Sequence, residues 1–337
     1  MPDRAALIDS FLAAIGWGAA TRSPLAGDAS NRRYLRIKHP DGARAVLMDA
    51  PPDRGEDVRP FTMIARHLRG LGLSAPAILA EDTQAGLLLL EDLGDALYAR
   101  ILTQDPAMER ELYRAATDLL VELHRHAPPS GLARYSPPLM ANLSGLALDW
   151  YRDGGTNEEN APFRRQFQAT LETYLAALPE TESVLIQRDY HAENLIWLPD
   201  RSGTARVGLL DFQDAMRGHR AYDLVSLLQD ARRDVSPATA NAMLTHYIAT
   251  TGVDAGTFTA AFHWLGAQRN LRILGVFARL SLRDGKPHYV DLIPRVWAHL
   301  QTDLRHPALG PLADLVAEAL PPPTPARLDA LKSGRAA

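Results

Sequence analysis

From Ser23 to Pro51 apolar and polar positions alternate, the period of a strand with one face toward a core. In "RRYLRIKHPDGARAVLMDAP" two strands are predicted, Arg33–Lys38 and Ala43–Asp49, joined by the turn His39-Pro40-Asp41-Gly42 into an antiparallel hairpin. The small polar segment "LAGDASNRRY" before it predicts a tight loop between a first strand and the second. In "RPFTMIARHLRGLGL" the period lengthens. Phe61, Ile64, Ala65 and Leu68 share one helical face, and Gly70 and Gly72 end the helix. "APAILAED" and "AGLLLLEDLGD" return to strands, the latter closing in a polar hinge at Glu91-Asp92 before Gly94.

Beyond that hinge the helical period dominates. "PAMERELYRAATDLLVELHRHA" places Leu112, Ala116, Leu119, Leu120 and Leu123 on one face, with Pro106 near its first turn. The Pro-rich "APPSGLARYSPP" predicts a loop or linker, and Phe163–Leu178 another helix. Val184–Asp211 reads as strands around polar turns, and Ala221 to about Leu320 as helices alternating with loops. The tail "PPPTPARLDALKSGRAA" predicts a partly frayed end. The fold class is therefore α+β, with a small β-rich N-terminal lobe over 1–93 and a larger, mainly helical C-terminal lobe over 94–337. A cleft between two lobes is a common place for a ligand.

Composition narrows the function. At 337 residues, 46% hydrophobic and 23% charged, the chain has the content of an ordinary globular protein with ample core. A net charge of -4 gives no reason to expect a nucleic acid partner. The lack of cysteine excludes disulfides, thiolate metal sites and thiol nucleophiles together. Met1–Gly16 predicts a short amphipathic helix whose Asp3, Arg4 and Asp9 interrupt the apolar core a signal peptide needs. No run approaches the roughly 20 apolar residues of a membrane span, so a cytoplasmic protein with no membrane partner is expected. Lysine occurs only at Lys38, Lys286 and Lys332, with Arg supplying the other basic positions.

The candidate chemistry lies in "VLIQRDYHAENLIWL", where two apolar runs flank a polar turn carrying Asp189 and Asn194. Asp211 follows at the end of a second apolar run, in "VGLLDFQDAMRGHRAYDL". Oxygen ligands suit Mg²⁺, which takes one or two protein carboxylates and completes its shell with phosphate and water. Phosphoryl transfer asks for neutralised phosphates, an aligned hydroxyl and a carboxylate to accept its proton. Asp189 is the candidate base, and Asn194 and Asp211 the candidate metal ligands.

These residues resemble the protein-kinase-like fold, in which a D-x-x-x-x-N catalytic loop precedes a metal-binding Asp. The chain is more similar to the aminoglycoside phosphotransferase branch, which acts on small molecules. Its D-[FW] motif matches Asp211-Phe212, leading to Gly218 and Asp223-Leu224, and the resemblance runs from "GDASNRRYLRI" to "AQRNLRILGVFARL". It implies ATP and Mg²⁺ as cofactors, an N-terminal nucleotide lobe, and a C-terminal catalytic and substrate lobe. "LLLLEDLG" resembles the adenine-binding linker, with Glu91 and Leu93 contributing main-chain groups, and the phosphate loop falls near Ser30-Asn31. Asp223 reads as a buried carboxylate holding the catalytic loop.

One position departs from the pattern. Where the third strand carries a Lys for the phosphates, Met48 stands here, and Lys38 lies at the far end of its hairpin. Either an Arg substitutes (Arg32, Arg33, Arg36 or Arg59, with Arg33 nearest the loop) or the chain binds nucleotide without turnover. The presence of Asp189, Asn194 and Asp211 favours activity.

Within the branch, "DASNRRYLRI", "VLMDAPP", "QRDYHAENL" and "AQRNLRILGVFARL" look most like the anomeric N-acetylmuramate/N-acetylglucosamine kinases of cell-wall recycling. The resemblance implies a small-molecule amino sugar as substrate and its 1-phosphate as product, linked only metabolically to a downstream nucleotidyltransferase. A lactyl carboxylate suits an Arg fork. Arg269 and Arg272, Asp214 with Arg217, and Trp150 or Trp264 as a stacking ring are candidates for the sugar. His191 stands either against substrate or as a packing histidine. Other acceptors, of aminoglycoside, choline or homoserine type, remain the alternative.

Overall fold

The computed structural model describes residues 4–25, 31–155, 161–178 and 183–334. Helix α1 (Arg4–Ala14) precedes the strands β1 (Thr21–Pro24), β2 (Arg33–Lys38) and β3 (Arg44–Asp49). Helix α2 (Arg59–Gly70), β4 (Ile78–Asp82), β5 (Leu87–Glu91) and α3 (Tyr98–Gln104) follow. Then come α4 (Glu109–Leu123), α5 (Pro137–Ser144) and α6 (Ala161–Ala176). Four short strands are next, β6 (Ser183–Ile186), β7 (Leu195–Trp197), β8 (Val207–Leu209) and β9 (Met216–His219). Helices α7 (Ala221–Leu228), α8 (Pro237–Thr251), α9 (Ala255–Leu282), α10 (Ile293–Leu304), α11 (Gly310–Ala319) and α12 (Pro325–Lys332) complete the described chain.

The chain forms two compact units, one of residues up to Met108 with Glu193–Ala215, the other of Glu109–Ala192 with Met216 onward. In the first, five antiparallel strands lie in the order β1-β2-β3-β5-β4. The β2–β3 hairpin pairs Arg33 with Asp49 and Lys38 with Arg44, and Asp41 stabilises its turn by accepting from the Ala43 N–H at 2.8 Å. Alternation then sends Ile37, Ala45 and Leu47 to one face, where Ile8 and Leu12 of α1 cover them together with Leu87 and Leu89. The hairpin β7–β8 belongs to this unit because its backbone is claimed by residues far away in sequence. Leu209 donates its N–H to the Ser74 carbonyl at 3.0 Å, and Trp197 to the Ala96 carbonyl at 2.8 Å.

The second unit is built around α9, which packs against α10, α7, α5 and a π-helical turn at Ala147–Arg152. A Cβ at Gly275 would overlap the main chain of Leu146, so the helix approaches that turn as closely as it does only with glycine there. A two-stranded ribbon pairs Ser183–Ile186 with Met216–His219.

The frayed tail expected from the sequence is instead helix α12. Thr324 caps it by accepting from the Arg327 N–H, Pro325 opens its first turn, and Leu331 is buried. Ser281 donates to the Leu331 carbonyl and Arg327 to that of Tyr151, fixing it to α9 and the π-helical turn.

Candidate active site

In the first unit a cavity of about 410 Å³ has apolar walls from Val46, Leu90, Ile196 and Leu210, a rim at Glu91–Asp95, and Asn194 and Asp211 in its lining. Asp211 stands just past β8, after Leu210, and carries φ 55°, a left-handed conformation that an L-residue adopts at a cost of about 1–2 kcal/mol. The neighbours hold it there. Phe212 is fully buried and stacks on Phe61 with centroids 4.8 Å apart, and the Leu210 N–H donates to the Asn194 carbonyl at 3.0 Å. Gln213 Nε2 donates to Asp211 Oδ1 at 2.6 Å, and Asn194 Nδ2 reaches Oδ2 at 3.5 Å. Two oxygen-bearing side chains thus come together on a rigid strand hairpin.

Five of the residues singled out from the sequence therefore line one cavity: Arg36, Glu91, Leu93, Asn194 and Asp211. The Glu91 carboxylate accepts from Arg201 at 2.6 Å and from the Ala77 N–H at 3.1 Å, tying the hinge to the β7–β8 segment and to the start of β4. Leu93 has no main-chain hydrogen-bond partner among the described residues. Two others lie apart from that lining. Asn31 donates its N–H to Glu56 and its amide to the Arg54 carbonyl, and Arg33 reaches Asp49 Oδ2 at 2.6 Å. The loop residues 26–30, where the tight phosphate loop is expected, lie outside the described residues.

Met48 is buried in β3, opposite Tyr34 and Leu88. The cations that line the cavity are Arg36 and Arg100. Arg36 is bound to both Asp92, at 2.8 Å, and Asp95, at 2.8 Å. This clamp on the hinge was not anticipated from the sequence, because strand and hinge meet only once the sheet is folded.

In the second unit Asp189 lies in the loop after β6, and main-chain bonds fix its surroundings. The N–H groups of Gln187 and Arg188 donate to Asp223 at 2.6 and 2.9 Å, and Tyr190 donates its hydroxyl to the Ala116 carbonyl. Arg188 is the second non-glycine residue with positive φ, at 71°. Asp223 is fully buried at the start of α7 and holds this strained turn, as its position in the motif implied. Burial pushes its carboxyl up to about 7, although the two main-chain donors favour the charged form.

Asp230, equally buried, accepts from the Ala192 N–H and does the same for the far side of the loop. It was missed in the sequence, where "LLQDARRD" offers nothing to distinguish it from a surface acid.

The remaining candidates take varied positions. His191 is buried beside Arg232 Nη1 at 3.2 Å, and burial followed by the nearby Arg232 and Arg269 charges holds its imidazole well below the usual range. Arg269 is buried and donates Nη1 to the Gln229 carbonyl at 3.1 Å, with Asp189 and Asp230 in electrostatic reach. Trp150 is half-buried in the π-helical turn, and Arg217 is exposed on β9. Asp214 is exposed and belongs to the first unit, just after Gln213.

A sequence profile of the phosphotransferase enzyme family matches residues 21–258, which include Asn194 and Asp211 of the first unit and Asp189 of the second but end before Trp264, Arg269 and Arg272. The chain belongs to this family. It is a phosphotransferase, an enzyme with an alcohol group as acceptor. Among curated relatives, an N-acetylmuramate/N-acetylglucosamine kinase of Caulobacter vibrioides is 40% identical, over 92% of this chain and 95% of its own. A kinase of the same name from Pseudomonas aeruginosa is 34% identical over 92% and 93%. Among solved structures, an aminoglycoside phosphotransferase from Streptomyces rimosus, in complex with ADP and streptomycin, is similar at a TM-score of 0.53 and 19% identity. It covers 81% of this chain and 99% of its own length, and the α+β, protein-kinase-like fold expected from the sequence is thereby established. Among the described residues no helix is long and apolar enough to cross a membrane.

Proposed function

We propose that this phosphotransferase moves the γ-phosphoryl group of ATP to the anomeric hydroxyl of N-acetylmuramate and N-acetylglucosamine, giving the sugar 1-phosphate. The observation that carries the nucleotide half is the strained Asp211, paired with Asn194 in a cavity with apolar walls and a peptide hinge. An adenine ring suits a slot formed by Val46, Leu90, Ile196 and Leu210, with its edge toward the main chain of Leu93. The acceptor half is supported by the curated relatives, whose names specify those two sugars.

The donor set fits Mg²⁺. Asn194 and Asp211 offer side-chain oxygens in the lining of one cavity, one carboxylate and one amide. That is the pattern of an ion whose shell is completed by phosphate and water. When bound, the ion would neutralise the phosphate charge. The chain's own residues do the rest. Asp189, on a loop pinned by Asp223 and Asp230, orients the acceptor hydroxyl and takes its proton. Arg33 supplies positive charge to the phosphates. Asp49, which it grips, is also bound by Arg4 at 2.6 Å, so Arg33 can turn away without stranding a buried carboxylate.

The test is a transfer assay with ATP and Mg²⁺ against both amino sugars, choline, homoserine and an aminoglycoside. Phosphorylation of the two amino sugars is expected. Turnover confined to a cationic acceptor, or nucleotide binding with no transfer to any of them, would reject the reading.

A further inference from the structure

Two of the three guanidinium groups on helix α9, those of Arg269 and Arg272, stand in unlike settings three residues apart and therefore on neighbouring parts of one face. Arg269 is 3% exposed, hydrogen-bonded to a carbonyl, and balanced by Asp230, itself fully buried. Its charge is satisfied inside the fold. Arg272 keeps partial exposure, and its Nη1 reaches the Tyr222 hydroxyl only at 3.4 Å. The carboxylate in its electrostatic reach is that of Asp189.

Two tyrosines stand beside it. The Tyr222 and Tyr135 hydroxyls are 3.5 Å apart, their rings meet edge to face at 5.0 Å, and Gln268 Nε2 approaches the Tyr135 hydroxyl at 3.5 Å. All of these are at the long limit of hydrogen bonding, so the cluster is loosely satisfied although both tyrosines are buried. Arg188 lies over the Tyr135 ring at 5.3 Å and links the cluster to the loop of Asp189. A guanidinium brings five donors in a planar fork, and one long bond to a phenol uses little of that capacity. A partly desolvated fork beside phenolic hydroxyls is a receptor for a planar anion.

We propose that Arg272 seats a carboxylate of the acceptor, so that the enzyme selects hydroxyl compounds carrying an acid group and turns their free hydroxyl toward Asp189. The inference rests on Asp189 as the base and on amino sugars as acceptors. Of the two, N-acetylmuramate bears a carboxylate, on its lactyl ether, and N-acetylglucosamine bears none. Arg269, by contrast, is a structural cation.

The experiment compares the two sugars within each of three proteins: wild type, Arg272→Gln and Arg272→Lys. Both kcat/KM and calorimetric sugar binding without nucleotide are measured, and thermal unfolding checks the fold. The preference for N-acetylmuramate over N-acetylglucosamine should fall by about 10- to 100-fold in Arg272→Gln, as for one charge-assisted bidentate contact, and recover in part in Arg272→Lys. Because the readout is a ratio within one protein, a general loss of folding cancels. An equal fall for both sugars would overturn the proposal and assign Arg272 to the transferring phosphoryl group. An unchanged ratio would overturn it too. If neither sugar is phosphorylated by wild type but the binding ratio still follows Arg272, the anion seat stands and the kinase assignment fails.

Discussion

At the residue scale, Asp189 and Asp211 are expected to act on different parts of a phosphoryl transfer. Replacing Asp189 by Asn keeps its size and removes its basicity. Transfer should drop by about 10²- to 10⁴-fold, while nucleotide affinity stays close to that of wild type, as read by single-turnover kinetics and by titration with a fluorescent nucleotide. Asp211→Asn should act differently, weakening Mg²⁺-dependent nucleotide binding by roughly tenfold or more, because a charge-assisted contact is lost. Metal dependence identical to wild type in that variant would remove Asp211 from its assigned role. Asn194 and Asp211 could be paired from the sequence because only the short β7–β8 hairpin separates them. Gln213 and the Arg36 clamp were not legible, since a glutamine two residues on and an arginine on a strand look the same whether or not a carboxylate awaits them.

At the scale of elements, the turn between β6 and Asp189 is held by the first turn of α7. Asp223 spends both oxygens on the N–H groups of Gln187 and Arg188, and an Asn there presents one oxygen and one N–H₂. Asp223→Asn should therefore cost about 1–3 kcal/mol through one unsatisfied buried donor, and it should lower activity by letting the strained Arg188 relax. Its pH signature has a definite sign. The folded carboxyl keeps its proton up to about 7, against an ordinary value of 3.8 for the unfolded chain, so the folded state binds more protons between those limits. The stabilisation it contributes is complete below the lower value and is lost as pH rises through the upper one. The melting-temperature gap between wild type and Asp223→Asn should narrow over that window. A gap that stays level across it would show the carboxyl to be ionised throughout.

The same scale shows why some elements were readable. The β2–β3 hairpin and α2 announce themselves through alternation, a Pro-Asp-Gly turn and helical spacing, all local. Helix α12 did not, because its stability comes from Ser281 and Tyr151, far away in the chain.

At the scale of the whole molecule, the α+β organisation followed from a change of period near the Glu91–Gly94 hinge. What no local pattern gives is the allegiance of Glu193–Ala215, which packs with Ser74, Ala96 and Glu91 in the first unit and carries Asn194 and Asp211 there. The polar turn that opens with Asp189 thus passes from one compact unit to the other between Ala192 and Glu193. On the proposed function these residues serve a single transfer, from ATP to the anomeric oxygen of an amino sugar. The most direct measurement is a ¹H–³¹P correlation spectrum of the product formed from N-acetylmuramate, ATP and Mg²⁺. A phosphorus coupled to the anomeric proton, and absent from the Asp189→Asn reaction, is expected. A phosphorus coupled to the C6 protons, or no sugar phosphate from a protein that binds ATP, would contradict the proposed function.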